Sequence, residues 1–348
     1  MEIILIDRVV ELTRHRQAWE SAFAADRHAS IFMSWPWLTT WMQVGPYPRW
    51  AVLAAREDSR SPCVGFFPVN VRGRPGALRM DQVREIHMAG DPGADFTGFV
   101  CHPQTERTAI EAIAEYIASH MRWERMRLKE VSDPRMEFFL NRLAQHENDI
   151  QDCQGTCCPY VPLPPTWDEF MQQHPSHELR KKLRIVERDF QVRHLDAENQ
   201  RTQIDAIVSM SEAYDYHTQG GNLPRFRRLF EAAAEAGFAR ILAIWDGPWP
   251  VAAIGGFLDE KASSLCIYCT AFDDRYKHVS PGRVVNALAL RYAIEQKLKS
   301  VDFLRGDEAY KFQFGAQRRF TRNITVTRRG LGVATRMTLN RTRQLLRI

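Results

Sequence analysis

The chain lacks what several classes of protein require. It has 348 residues with no low-complexity tract, and 45% hydrophobic and 26% charged residues leave no room for long disorder. Cysteine is scarce and odd in number: seven are scattered along the chain, which argues against a secreted disulfide framework. Cys153, Cys157 and Cys158 are close together, but no partner pair with ligand spacing follows them. They are read as structural, and no metal is expected. Cys266 and Cys269 fall in an apolar run read as a strand, where a three-residue offset places side chains on opposite faces. One long run is free of charge, Ala29–Pro48, but it contains Pro36, Gly45, Pro46 and Pro48. It reads as helix plus loop rather than a membrane span. The N-terminus, MEIILIDRVVEL, has no basic n-region and reaches Asp7 too early for a signal peptide. A cytoplasmic protein is expected.

Acid is missing from one end. No Asp or Glu follows Glu308, while the last 40 residues hold ten Lys and Arg, so that a net charge of +5 hides a +10 tail on a −5 body. Gly332–Ile348 mixes arginines with Val333, Met337, Leu345 and Leu346 at roughly helical spacing. It is a solvated helix, or a surface helix that meets an anionic inner-membrane surface, a phosphorylated substrate or tRNA. DNA is not an expected partner.

What is present fits two domains of mixed α and β structure. In the first half, helices are expected at Arg14–Ala25, from Pro36 to Gln43 and over Thr105–His120, whose Ile110, Ile113, Ala114, Ile117 and Ala118 share a face. Strands are expected at Ala51–Arg56, Cys63–Val71, Val83–Met88, Phe96–Val100 and Met126–Val131, and Asp133 is read as capping a further helix. Gln151–Pro165, rich in Pro, Cys and Gly, is read as the join. Thr166 with Glu169 forms a capping-box pattern, and Ser176–Asp189 is a very basic helix. Then come helices at Ile204–Gln219 and Pro224–Ala236, strands at Ala239–Trp245, Pro250–Leu258 and Ser263–Phe272, a helix from Ser280, and strands at Val301–Leu304 and Asn323–Arg328. Asp246–Gly247 marks a hairpin. Each half thus has several strands, one long helix and one more strand. Two α+β lobes with a cleft between them are expected over 1–155 and 156–330, followed by the basic helix 331–348.

Two stretches carry chemistry. The loop Asp273–Pro281 holds Arg275, Lys277 and Ser280 and leads through Pro281 into Gly282 and Arg283. A helix start with accessible N–H groups beside cations suits a pyrophosphate. After the next strand comes Leu304-Arg305-Gly306-Asp307-Glu308 with Tyr310 and Lys311. Either carboxylate could act as general base on an amine or hydroxyl, Tyr310 could return a proton to a leaving thiolate, and Arg305 and Lys311 could hold an anionic substrate. A solvated turn closed by its own salt bridges fits the same letters. Tyr268 is an alternative general acid. Arg180 on the basic helix, and Tyr216 with His217 before Gly220 and Gly221, are candidates for the acceptor side. Trp35, Trp37 and Trp41 read as core.

Set in order, these pieces resemble the GNAT-type acetyltransferases grouped with the CelD/BcsL cellulose-biosynthesis proteins, relatives of the FemAB aminoacyl transferases. The matching residues are Ser34-Trp35-Pro36-Trp37 through Trp41, Trp167-Asp168-Glu169-Phe170 with His177–Arg184, Asp246-Gly247 with Pro250–Ala253, Ser280-Pro281-Gly282, and Phe303–Glu308 with Tyr310-Lys311. Together they cover about residues 30–328. The resemblance implies two tandem GNAT-like lobes and transfer of an acyl group, usually from acetyl-CoA, to an amine or hydroxyl of a sugar or cell-envelope precursor. It implies that Ser263–Phe272, with Cys269 and Thr270, grips the thioester arm, and that the Asp273–Arg283 loop holds the pyrophosphate. Two departures stand out. Of the family's Arg/Gln-x-x-Gly-x-Gly/Ala loop only Gly282 is clear, and of its Asp-Tyr-x-Asp pattern only Asp95 remains. The reduced loop leaves open an aminoacyl-tRNA donor, or a lobe pair that binds a partner without catalysis.

Overall fold

The computed structural model describes residues 1–73, 84–174, 176–213 and 223–329. They form two compact units, Met1–Thr156 with the chain from Phe320, and Cys157–Arg319. In chain order the first stretch gives β1 (Glu2–Ile6), α1 (Val9–Arg14), α2 (Arg16–Ala25), α3 (Trp35–Val44), β2 (Trp50–Arg56), β3 (Cys63–Gly73), β4 (Arg84–Met88), β5 (Val100–Cys101), α4 (Glu106–His120), β6 (Arg125–Val131), α5 (Met136–Ala144) and β7 (Asp149–Cys157). The second gives β8 (Tyr160–Pro162), α6 (Trp167–Gln173), α7 (His177–Asp189), β9 (Gln191–His194), α8 (Gln200–Ala213), α9 (Leu223–Glu235), β10 (Ala239–Asp246), β11 (Trp249–Asp259), β12 (Ser264–Phe272), α10 (Pro281–Glu295), β13 (Ser300–Asp302) and α11 (Ala309–Phe312). The chain then returns to the first unit as β14 (Phe320–Thr327).

Among the described residues the first sheet runs β1-β2-β3-β4-β6-β14-β7 with β5 on β3, and the second runs β8-β13-β12-β11-β10-β9. Each contains a parallel pair bridged by a long helix, β4–α4–β6 and β12–α10–β13, as parallel neighbours require. This is the internal duplication expected of two lobes. α4 turns Ala109, Ile110, Ile113, Ala114, Ile117 and Ala118 onto the first sheet. α10 is buried over most of its circumference, from Val284 to Ile294, because sheet and helix neighbours enclose it.

Three expectations change. The second lobe was taken to residue 330, but Phe320–Thr327 pairs with β6 in the first sheet. The presumed join Gln151–Pro165 holds β7 and β8, whose neighbours β14 and β13 arrive more than 100 residues later, a ladder that local composition does not announce. Asp133 does not cap α5 at its N-cap, which is Arg135. Its carboxylate accepts from the Arg135 and Phe99 backbone N–H groups at 2.9 and 3.1 Å. The basic helix expected over 331–348 lies outside the described residues. Among those described, no helix is long and apolar enough to cross a membrane.

The first unit also carries a buried polar row on the sheet face away from α4. His87 Nε2 lies 3.1 Å from Glu85 Oε2, Arg125 and Arg127 flank Glu85 at 3.5 Å, and Arg72 pairs with Asp91 at 2.8 Å. Burial alone would raise the Glu85 carboxyl, but the His87 hydrogen bond and the Arg127 and Arg125 guanidiniums outweigh it and hold it at about 2. Burial pushes His87 below its usual value despite Glu85 and Asp91. Both shifts have one sign for stability. The unfolded chain protonates first at each group, so stability falls as the pH drops below about 6.5 and again as Glu85 titrates between about 4.5 and 2. Melting temperature measured from pH 7 to pH 3 should decline, and Glu85→Gln should flatten the acid limb. An unchanged acid limb in that variant would contradict the assignment.

Candidate active site

The site is built where the second sheet opens. β12 pairs with β11 from Ser264 to Phe272, but with β13 only through Ser264, Leu265 and Cys266. Among the described residues no strand continues along that edge of β12 from Ile267 to Phe272. A strand-like ligand laid along that edge would meet backbone N–H and C=O groups as β13 does at Ser264–Cys266. The β11–β12 register shifts between Gly255 and Gly256, leaving Tyr268 as the extra residue of a bulge. The two glycines make this possible. A Cβ on Gly256 would sit 2.4 Å from the Cys266 carbonyl oxygen, and one on Gly255 would meet the Phe230 ring at 2.6 Å.

The bulge corrects the expectation for the two cysteines. Cys266 lies opposite Phe257 and Cys269 opposite Gly255, two residues apart on β11, so both thiols share one face. Burial pushes the Cys269 thiol up to about 12, and its sulfur turns to the Gly255 carbonyl at 3.6 Å. Cys269 therefore offers this site its backbone, not a nucleophile. Tyr268 packs against Phe226, Phe230 and Phe257, with 5.2 Å between its ring centroid and that of Phe257. Thr270 lies opposite Ile254, on the α10 face, and its buried hydroxyl has no hydrogen-bond partner. Gly282 packs on Phe272, two residues further along the same face. One helical turn beyond Gly282, register puts Asn286 over Thr270. Asn286 is 1% exposed, donates from Nδ2 to the Gly282 carbonyl at 2.7 Å, and has no partner for Oδ1. Two buried polar atoms, one on β12 and one on α10, are thus left unsatisfied. Asn286 escaped the sequence reading, since an Asn inside an apolar helix is its only signal.

The loop between β12 and α10 is a short 3-10 helix, Asp274–Val279. Asp273 caps it, accepting from the Arg275 N–H at 2.9 Å and from Arg275 Nε at 2.8 Å. The Arg275 side chain and N–H hold the Asp273 carboxyl below its usual range, so Arg275 is already spent within the loop. Lys182 of α7 donates to the His278 carbonyl and ties the loop to that helix. Lys277 is exposed. Ser280 has φ 53° and turns the chain into Pro281 at the first position of α10, which leaves the Gly282 and Arg283 N–H groups at the helix start. Gly282 is required by packing, because a Cβ would lie 2.7 Å from the Phe272 ring. Arg283 turns aside, Nη2 donating to Ser176 Oγ at 3.2 Å and Nη1 lying 3.8 Å from Glu178. Of the cations expected here, Lys277 and the helix start itself remain for an anion.

The acidic stretch begins where β12 and β13 part. Leu304 (φ 54°) and Gly306 (φ 109°) fold it back, and the Gly306 N–H donates to the Cys157 carbonyl at 2.9 Å. A Cβ on Gly306 would strike Glu308 Oε2 at 2.4 Å. Lys311 is 3% exposed, and its ammonium reaches the Arg305 and Gly306 carbonyls at 2.8 and 3.0 Å and Glu308 Oε2 at 2.8 Å. Lys311 is thus the pin of the turn rather than a substrate cation. Asp307 and Glu308 are exposed, Arg305 is half-buried, and Tyr310, 37% exposed, sets its ring edge-on to Phe303. The turn is closed by its own salt bridge, as one of the two expectations for these letters had it, and Asp307 and Glu308 remain exposed on it.

The other candidates fall elsewhere. Arg180 Nη2 donates to the Met171 carbonyl at 2.8 Å and closes α6. Tyr216 and His217 lie outside the described residues. Asp95 is buried in the first unit beside a plug. There β4 and β6 also pair over three residues, Glu85–His87 with Arg125–Arg127, and then part. Thr97 fills the gap, its N–H donating to the Glu130 carbonyl at 2.8 Å and its carbonyl accepting from Ser132 N–H at 3.2 Å. The first unit thus pairs its own backbone where, among the described residues, no strand continues beside β12. Among the described residues no group of three or more His, Cys, Asp or Glu is placed to hold a metal.

A parallel pair that splays beyond a bulge, a helix start at its open end and an acidic turn past the shorter strand are features of the GNAT fold. Residues 175–312, within the second unit, match the family described as an acetyltransferase (GNAT) domain. None of the curated proteins matches the sequence. Solved structures extend the likeness of fold over both units. FemX is 13% identical, with 93% of this chain and 97% of that chain covered at a TM-score of 0.60. L-PGS from Bacillus licheniformis is 8% identical over 94% and 95%, at 0.57. A tandem GNAT protein from the clavulanic acid biosynthesis pathway is 11% identical over 93% and 98%, at 0.51. The two lobes are therefore GNAT-like in fold.

Proposed function

We propose that the second unit binds an acyl-CoA, acetyl-CoA above all, along the open edge of β12 and transfers its acyl group to an amine or hydroxyl of a sugar or cell-envelope polysaccharide precursor. The observation that carries this is the stretch Ile267–Phe272, beside which no described strand continues past β13, with the orphaned Thr270 hydroxyl and Asn286 carbonyl oxygen. When bound, the thioester supplies an activated acyl carbon and a thiolate leaving group. The chain's residues do the rest. The Gly282 and Arg283 N–H groups, with Lys277 nearby, hold the pyrophosphate at the start of α10. Thr270 and Asn286 match the donors and acceptors of the pantetheine amides. N–H groups on the β12 edge stabilise negative charge that develops on the carbonyl oxygen. Glu308, oriented through Lys311, takes the proton of the acceptor, with Asp307 beside it, and Tyr310 returns one to the thiolate. Arg305 faces the acceptor's anionic part.

A second donor class has an observation in its favour. The loop before α10 keeps only Gly282 of the usual glycines, and α7 exposes Lys181, Arg184 and Arg188, which suits the phosphates of an aminoacyl-tRNA. Titration calorimetry of the full chain separates the two. Acetyl-CoA should bind with one site per chain, since Thr97 occupies the first unit's edge. No heat with acetyl-CoA, or two equal sites, would sink the proposal, and binding of charged tRNA alone would move the donor to the second class.

A further inference from the structure

The second unit holds a cavity that acyl transfer leaves unused. It measures about 190 Å³ and lies between the later half of α10 and the sheet face on the β9 side. Leu242, Ile254 and Leu265, each no more than 5% exposed, line its depth, and Ala289 of α10 lines it too. Around it stand Arg240, Tyr292 and His194, with the His194 ring 5.0 Å from Tyr292. Arg240 and Leu242 alternate on β10, so both point to this face.

We propose that this cavity is a binding site for a small apolar monocarboxylate. The aliphatic side chains offer nothing to a polar group, so the body of the ligand must be apolar. A closed, wholly aliphatic cavity of about 150 Å³ takes up benzene, so this pocket, open at its polar end, has room for a six-carbon ring or a branched chain of similar size. The polar end is set by Arg240. Its Nη1 donates to the Gly237 and Ala239 carbonyls at 2.9 and 2.8 Å, which fixes the plane of the guanidinium before any ligand arrives. A fixed guanidinium at the edge of an apolar hole matches a carboxylate in geometry and charge. The small side chain of Ala289 helps leave the space: α10 is packed by Leu288, Leu290 and Ile294 around it.

The test is titration calorimetry of the full chain with benzoate, beside toluene and acetate, each of which keeps half of the ligand's character. Benzoate should bind with Kd on the order of 0.1–1 mM, as a well-seated ligand of its size can, and at least tenfold more tightly than either comparison compound. Arg240→Met should weaken benzoate at least tenfold. Ala289→Leu should abolish binding by filling the hole. If Ala289→Leu does not fold, Arg240→Met, at a half-exposed position, decides alone. No benzoate binding by the native chain, toluene binding as tightly as benzoate, or Arg240→Met binding unchanged would each overturn the proposal.

Discussion

Glu308→Gln should lower kcat for acyl transfer by about 10²–10⁴ while leaving the affinity for the acyl donor unchanged. The substitution keeps size and shape. An amide oxygen at Oε2 can still accept from the Lys311 ammonium, which stands 2.8 Å away and also binds two carbonyls of the turn. The turn therefore survives, and what is lost is a group able to take the acceptor's proton. A variant turning over within twofold of the native chain would remove Glu308 from the chemistry. Lys311→Met would be a poorer test, because it dismantles the turn along with the carboxylate's orientation.

Arg135→Met should cost the first unit about 3–5 kcal/mol, the largest stability effect expected of any single change. Arg135 is 3% exposed and reaches Asp26 and Asp133 at 2.9 and 2.8 Å and Glu106 at 3.0 Å. Two of its partners are themselves buried and already committed: Asp26 accepts the Cys101 N–H at 2.8 Å and Asp133 the Phe99 N–H at 3.1 Å. Burial alone would lower the guanidinium's pKa, but Asp133 and Asp26 outweigh it and raise it, so its charge is never in question. Removing it strands two carboxylates in the interior. Urea unfolding read at the first unit's tryptophans should show the lost stability; a midpoint within experimental scatter of the native one would contradict the assignment.

Much of the fold could be read from the letters, because most of it is local. The stripe from Ala109 to Ala118 specifies α4, Ser176 caps α7 through the Leu179 N–H at 3.2 Å, and Asp246–Gly247 turns β10 into β11. What escaped was long-range. β14 returns to β6 across almost 200 residues, and the apparent linker is two strands waiting for distant partners. The site divides in the same way. The acidic turn and the helix start were legible as patterns of residue type. The splay of β12 was reached only through the family resemblance, since residue type does not show where a neighbouring strand ends, and the bulge that reverses the facing of Cys269 depends on how Gly255 and Gly256 meet another strand. Arg180, Arg275, Arg283 and Lys311 looked like ligand cations because a sequence does not reveal which carboxylates and carbonyls will claim them.

The central claim is that the open edge of β12 is the donor site. Amide hydrogen exchange of the full chain, with and without saturating acetyl-CoA, tests it most directly. Protection is expected over Ile267–Phe272 and the start of α10, with no change at Glu85–His87 or Thr97 in the first unit. Protection confined to the first unit, or none along β12, would contradict the account.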